Sequence, residues 1–115
     1  DSDLCMLLVK DVEFPASARI ADKAPTRGDR LFLSACPLGI FIEGAPMMWD
    51  GYFSGTDGTG FYIMTVPVAP GSSGGGIVNS RGEIVSIVVA GIIGWDETSL
   101  GASLEMINKF LDDME

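Results

Sequence analysis

The sequence of 115 residues contains no histidine. Histidine is the commonest general base and the commonest metal ligand in proteins, so this chain cannot supply either from that residue type. Its two cysteines, Cys5 and Cys36, lack the spacing of a metal site and could either pair or stay reduced. Both stand in apolar runs, where buried free thiols are expected. The sequence therefore predicts no metal and no cofactor.

Basic residues are scarce. Lys and Arg number 7 against 16 Asp and Glu, which gives a net charge of -9. Such a surface repels duplex DNA and anionic membranes, so neither is expected as a partner. Long apolar runs are lacking too: none approaches the roughly 18 residues of a membrane span, and no charged-then-apolar leader opens the chain. These absences leave the cellular compartment open.

Apolar residues are nevertheless plentiful, at 47% of a chain long enough for one domain with a modest core. They occur in short runs separated by turn signals about every eight to twelve residues, a pattern typical of an all-β sandwich or barrel. The predicted strands are Asp3–Val9, Arg30–Cys36, two short ones around Phe41 and Tyr52, Phe61–Val68, and a hairpin over 75–92 with its turn at Asn79–Gly82.

The end of the chain follows a different period. Leu104, Ile107 and Leu111 recur at helical spacing, and Met106 and Phe110 widen the same face. This pattern predicts a C-terminal α-helix packed on the all-β body.

The segment "PVAPGSSGGGIV", residues 67–78, is rich in glycine and serine. An isolated run of this kind is usually a mobile surface loop, but this one lies between two apolar strands. Glycines around Ser73 would let a substrate carbonyl approach and let N–H groups converge on one point. The G-x-S-x-G elbow of α/β-hydrolases requires a helix after the serine, and a phosphate loop requires a lysine after the glycines. Neither follows here, so Ser73 remains as a candidate nucleophile.

"GSSGGGIVNSRGEIVSIVV" followed by "LGASLEMINKFL" resembles the C-terminal half of trypsin-like serine proteases of the chymotrypsin fold, and within them the HtrA/Deg-like branch. "RGDRLFLSACPLG" and "SDLCMLLVK" are similar to earlier segments of that branch. The resemblance implies a C-terminal Greek-key β-barrel with a C-terminal helix. It divides the chain into the last strand of a missing N-terminal barrel (1–10), an inter-barrel connector (11–27), the C-terminal barrel (28–102) and the helix (103–115).

The resemblance also implies a set of site residues. Ser73 would be the nucleophile, Asp3 the carboxylate that orients the histidine, and the N–H groups of Gly71 and Ser73 the oxyanion hole. Pro67 would lie at the base of the specificity pocket, with a wall of Val88, Val89 and Ala90, which implies cleavage after small or medium apolar residues. The structural alternatives are a charged residue near a chain end for Asp3 and an ordinary core strand for residues 88–90.

The missing histidine is the main departure from the family, whose members carry it in the N-terminal barrel. Without a base the serine hydroxyl is a poor nucleophile, so this chain by itself is expected to be inactive or nearly so. Three readings remain open: the C-terminal part of a serine endopeptidase, a pseudo-protease that binds extended peptides by strand addition, and a structural module without a site. The expected partners are a polypeptide substrate and either an N-terminal barrel or a second copy paired through Asp3–Val9.

Overall fold

The computed structural model describes residues 3–35, 37–40, 43–44, 47–92 and 95–114. Six antiparallel strands close into a barrel in the order β1-β2-β3-β6-β5-β4, and one helix follows. The elements are β1 (Arg30–Ser34), β2 (Met48–Thr56), β3 (Tyr62–Met64), β4 (Gly76–Val78), β5 (Ile84–Ile92), β6 (Trp95–Gly101) and α1 (Leu104–Asp113), with a short 3-10 turn at Pro37–Gly39. The predicted all-β barrel with a C-terminal helix is confirmed.

The barrel interior follows from alternation along the strands. In β2, Gly51, Phe53 and Gly55 face inward while the residues between them are exposed, as the two-residue period of a strand requires. The interior is filled by aliphatic side chains and one edge-on aromatic pair, Phe53 with Tyr62, whose ring centroids are 4.9 Å apart. The core residues include Leu31, Leu33, Met64, Val66, Ile77, Val85 and Val88.

The predicted hairpin turn at Asn79–Gly82 forms, and a second turn joins β2 to β3; a polar side chain at the start of each accepts backbone N–H bonds. Asn79 accepts N–H bonds from Arg81 and Glu83 between β4 and β5. Asp57 accepts bonds from Thr59 and Phe61 between β2 and β3. The bond from the Thr59 hydroxyl, followed by the backbone N–H bonds, holds the pKa of Asp57 below its ordinary value. Short polar side chains thus replace the strand pairing that the turn interrupts.

The C-terminal helix begins at the predicted place because Ser103 caps it. The Ser103 side chain accepts the Met106 N–H at 3.1 Å, and the buried Tyr62 hydroxyl accepts the Leu104 N–H at 3.1 Å. Leu104 and Ile107 are buried. Within the described part of the chain, no helix has the length and hydropathy needed to cross a membrane.

Two sequence predictions need correction, one strand was missed, and two predictions fall outside the described residues. The strand predicted over Phe61–Val68 pairs only from Tyr62 to Met64, and Pro67, which has no N–H to donate, lies beyond its end. The polar strand β6 was not predicted, because its sequence lacks an apolar run. Cys5 is exposed and not buried, because residues 3–10 lie outside the barrel. Cys36 and Phe41 lie outside the described residues.

Residues 3–10 lie outside the barrel, whereas the connector (residues 11–27) is hydrogen-bonded to it. Residues 3–10 form no strand within the described structure, and Leu7 and Leu8 are 82% and 83% exposed. The connector is attached to the barrel, since the Ile84 N–H donates to the Arg19 carbonyl at 2.7 Å and the Ala21 N–H donates to the Ile84 carbonyl at 2.9 Å. That residues 1–10 form the last strand of an N-terminal barrel stays a prediction, as does the division of the chain at 11–27, 28–102 and 103–115.

Candidate active site

Two consecutive reverse turns share Ser72, and Ser73 is the second residue of the second turn. The first turn is closed by the Ser72 N–H donating to the Ala69 carbonyl at 2.9 Å, with Pro70 second and Gly71 third at φ +98°. The second is closed by the Gly75 N–H donating to the Ser72 carbonyl at 3.0 Å, with Gly74 third at φ +88°. Glycine at a third position of positive φ is the pattern of a type II turn. The two turns hold Ser73 at the protein surface.

The first turn gives the Gly71 amide a defined direction. The Pro70 carbonyl accepts the Leu38 N–H at 2.5 Å. Because a trans peptide is planar, with its C=O and N–H pointing opposite ways, the Gly71 N–H points away from Leu38. In the described residues neither the Gly71 N–H nor the Ser73 N–H donates to another protein group. Both amides are therefore available to an external acceptor.

Among the residues that the structure describes, none places a base beside the Ser73 hydroxyl. Its Oγ donates to the Val89 carbonyl at 3.2 Å, and the side chain is exposed. A carbonyl oxygen accepts a hydrogen bond but does not remove the proton, so this contact holds the hydroxyl without activating it. The geometry is that of a serine whose base has to come from outside the residues described.

An apolar cavity of about 430 Å³ opens beside Ser73. The structure brings four of the predicted site residues together there, namely Ser73, Val88, Val89 and Ala90. Further lining residues that sequence reasoning missed are Val68, Ala69, Pro70, Gly91 and Ile92. Except for the Ser73 hydroxyl, every described lining side chain is apolar. The signal that could have found two of them is simple adjacency: Val68 directly precedes the first turn, and Gly91 directly follows Ala90 in β5.

Two of the predicted site residues do not line this cavity. Pro67 is half-buried and does not line it, whereas the next residue, Val68, does. Asp3 is exposed at φ +56° and also does not line it. The residues after Asp3 do approach the serine loop from another side, where Leu4–Leu7, Gly74 and Gly76 line a second apolar cavity of about 400 Å³. The proposed role of Asp3 therefore depends on groups beyond those described.

The described residues that line the cavity beside Ser73 include no charged side chain. The described residues contain no cluster of three or more His, Cys, Asp or Glu side chains that could hold a metal ion. The ion pairs of the described chain lie elsewhere, at Arg19 with Asp22 and Glu83, Arg30 with Asp50, Arg81 with Glu83, and Lys109 with Asp113. The chemistry available at Ser73 is thus that of a hydroxyl, two amides and an apolar cavity.

Comparison with solved structures finds proteases. The inactive form of the Rv3671c protease is similar at 17% identity and a TM-score of 0.74, covering 86% of this chain and 55% of that one. Its active form from M. tuberculosis is similar at 18% identity and a TM-score of 0.71, and the similarity covers 85% of this chain and 48% of that one. The serine endoprotease from Yersinia pestis is similar at 19% identity and a TM-score of 0.71, covering 84% and 35%. This chain thus spans about half or less of the length of these structures.

These similarities establish the fold, a barrel of the chymotrypsin-like type with a C-terminal helix, as the resemblance implied. A comparison with curated proteins finds no match. The sequence itself matches the trypsin-like peptidase domain over residues 1–87, which is more than half of the chain. The match includes both Asp3 and the serine loop. This chain therefore belongs to the trypsin-like peptidase family.

Proposed function

We propose that this chain supplies the nucleophile, the oxyanion hole and the specificity pocket of a serine endopeptidase. The observation that carries the proposal is the paired turn, which exposes the Ser73 hydroxyl beside two unengaged N–H groups and an apolar cavity. An active serine needs this combination, because the negative charge that develops on the substrate carbonyl must meet donors already in place.

In the proposed reaction, Ser73 Oγ forms a bond to the scissile carbonyl carbon while a histidine of an N-terminal barrel accepts its proton. The Gly71 and Ser73 N–H groups bind the resulting oxyanion. The C–N bond then breaks as the histidine returns the proton to the leaving amine, and water hydrolyses the acyl-enzyme by the same steps. Asp3 acts on the histidine and not on the serine, so it need not contact Ser73.

The substrate is a polypeptide with a small or medium apolar side chain before the scissile bond. The apolar lining of the cavity supports this preference, because a charged side chain would lose its hydration there without gaining a partner among the described residues. Val68, Val88, Val89 and Ala90 all line this cavity, which supports the proposal.

Gly91→Val should reduce the affinity for peptides with valine before the scissile bond by about tenfold or more. A Cβ at Gly91 would lie 3.3 Å from Val68 Cγ2, so the added methyl groups narrow the cavity between β5 and the first turn. Peptide affinity can be measured by fluorescence anisotropy with the whole chain. Gly91→Ala should have an intermediate effect, and equal binding by all three forms would show that the substrate side chain lies elsewhere.

The alternative function is a pseudo-protease that holds extended peptides without cleaving them. The bond from the Ser73 hydroxyl to the Val89 carbonyl and the absence of histidine favour it for this chain in isolation. The exposed Leu7 and Leu8 favour a partner in either case, whether an N-terminal barrel or a second copy.

A fluorophosphonate serine probe separates these functions. We expect the chain in isolation to label at most in traces, and Ser73 to label readily once a histidine-bearing N-terminal barrel is supplied. Ser73→Ala should remove the label and Ser80→Ala, at an exposed serine of the β4–β5 turn, should keep it. Peptide binding with no label under either condition would establish the pseudo-protease instead.

A further inference from the structure

Ser72 is only 2% exposed, although the serine beside it is exposed. Its backbone N–H donates to the Ala69 carbonyl at 2.9 Å, and its carbonyl accepts the Gly75 N–H at 3.0 Å. Its side-chain Oγ in turn accepts the Ala69 N–H at 3.3 Å. Ala69 and Ser72 are thus joined by a reciprocal pair of hydrogen bonds, where an ordinary reverse turn has one.

The second bond matters because the first turn has an alternative conformation. Type I and type II turns differ mainly by rotation of the central peptide, and only the type II form requires positive φ at the third residue. Gly71 tolerates either sign of φ, so its own conformational preference does not select between them. Rotation of the Pro70–Gly71 peptide would reverse the direction of the Gly71 N–H, which the proposed oxyanion hole uses together with the Ser73 N–H.

Two other serines of the barrel with fully buried side chains, Ser86 and Ser99, are used differently. The Ser86 hydroxyl donates to the Ala102 carbonyl at 2.8 Å, and the Ser99 hydroxyl donates to the Val66 carbonyl at 3.0 Å. Each joins two separate parts of the barrel. The Ser72 hydroxyl instead accepts a bond within the turn that carries Gly71, so its effect is concentrated on that turn.

We propose that Ser72 is a positioning residue whose buried hydroxyl holds the Ala69–Ser72 turn in the conformation that directs the Gly71 N–H to the oxyanion. This inference rests on the proposed function, because it assigns a role in the same site. Ser72 does not touch the substrate. It acts through the peptide between Pro70 and Gly71, which the Leu38 N–H holds from the opposite side.

The test compares two ligands of the whole 115-residue chain joined to a histidine-bearing N-terminal barrel, because among the described residues the Ser73 hydroxyl contacts only a carbonyl and has no base to accept its proton. A short peptide boronate ending in the valine analogue forms a bond from Ser73 Oγ to boron, releases the hydroxyl proton to the histidine and leaves a tetrahedral anion that needs the two N–H groups. The amide of the same peptide needs only the cavity. Ser72→Ala should weaken boronate binding by about tenfold or more, less than the full loss of one donor, and leave amide binding within about twofold.

Ser86→Ala is the matched control, since it removes an equally buried hydroxyl from β5. It should leave the ratio of boronate to amide affinity unchanged. Amide hydrogen exchange should rise at the residue-72 N–H in Ser72→Ala and not in Ser86→Ala. Ser72→Thr, which keeps the hydroxyl, should retain the ratio and provides a folded comparison if the alanine variant unfolds.

An unchanged ratio in Ser72→Ala, or an equal fall in Ser86→Ala, would overturn the inference and leave the proposed function standing. A lower ratio of boronate to amide affinity in Ser72→Thr would overturn the inference as well, if that variant keeps the exchange protection of the residue-72 N–H. Wild-type chain that binds the amide but not the boronate would contradict the oxyanion hole itself, and both proposals would then fail together.

Discussion

Joined to a histidine-bearing N-terminal barrel of a trypsin-like protease, this chain should hydrolyse peptides after apolar residues, and Ser73→Ala should lower kcat/KM by about 10⁴-fold or more. The paired turns and the cavity are already built in this chain, and the base is the group it lacks. A bound histidine would take the Ser73 proton in place of the weak contact to the Val89 carbonyl. Hydrolysis of a fluorogenic peptide measures the effect.

The control for this experiment is Ser80→Ala, whose hydroxyl lies in the β4–β5 turn and does not line the cavity. It should hydrolyse at the wild-type rate. Hydrolysis that persists in Ser73→Ala would mean that another group is the nucleophile. Tight association of the two barrels without any hydrolysis would instead support the peptide-binding alternative.

Gly51→Ala should destabilise the barrel by about 3 kcal/mol and lower Tm by about 10 °C or more. A Cβ at Gly51 would lie 2.6 Å from both the carbonyl carbon and the oxygen of Thr65 and 2.7 Å from the Val66 nitrogen. These are backbone atoms, so no side-chain rotation can relieve the overlap. Tyr52 and Thr65 hold the two segments together there, with the Thr65 N–H donating to the Tyr52 carbonyl at 2.9 Å.

Thermal unfolding followed by circular dichroism measures this loss, and Gly58→Ala provides the matched control. Gly58 has no heavy atom within 4 Å of its added Cβ and no positive φ, so the same substitution should be neutral or slightly stabilising there. If Gly51→Ala unfolds with the wild-type Tm, the close approach of β2 to the Thr65–Val66 segment does not exist. Gly51→Ala should also disturb Val68 and weaken peptide binding, since the Thr65–Val66 segment leads into the cavity.

Much of the barrel could be predicted because its signals are local. The β4–β5 hairpin depends on Asn79, whose side chain bonds the N–H groups of its own turn, and the helix depends on Ser103 and an apolar face. The proposal for Ser73 also has a local origin, since the glycines around it permit the two turns beside it. The strand β6 was missed because it is held by pairing with β3 and β5, and its own sequence carries no such apolar pattern.

The sequence by itself determined the all-β barrel with its helix and the family, because these depend on periodicity and on contiguous residues. Only the tertiary structure decided which side chains meet. It placed Val68 and not Pro67 at the cavity, left Cys5 and Asp3 exposed, and directed the Gly71 amide through the contact of Leu38 with Pro70. Such contacts join residues that are distant in the chain, and their geometry depends on how the strands close, which no local pattern specifies.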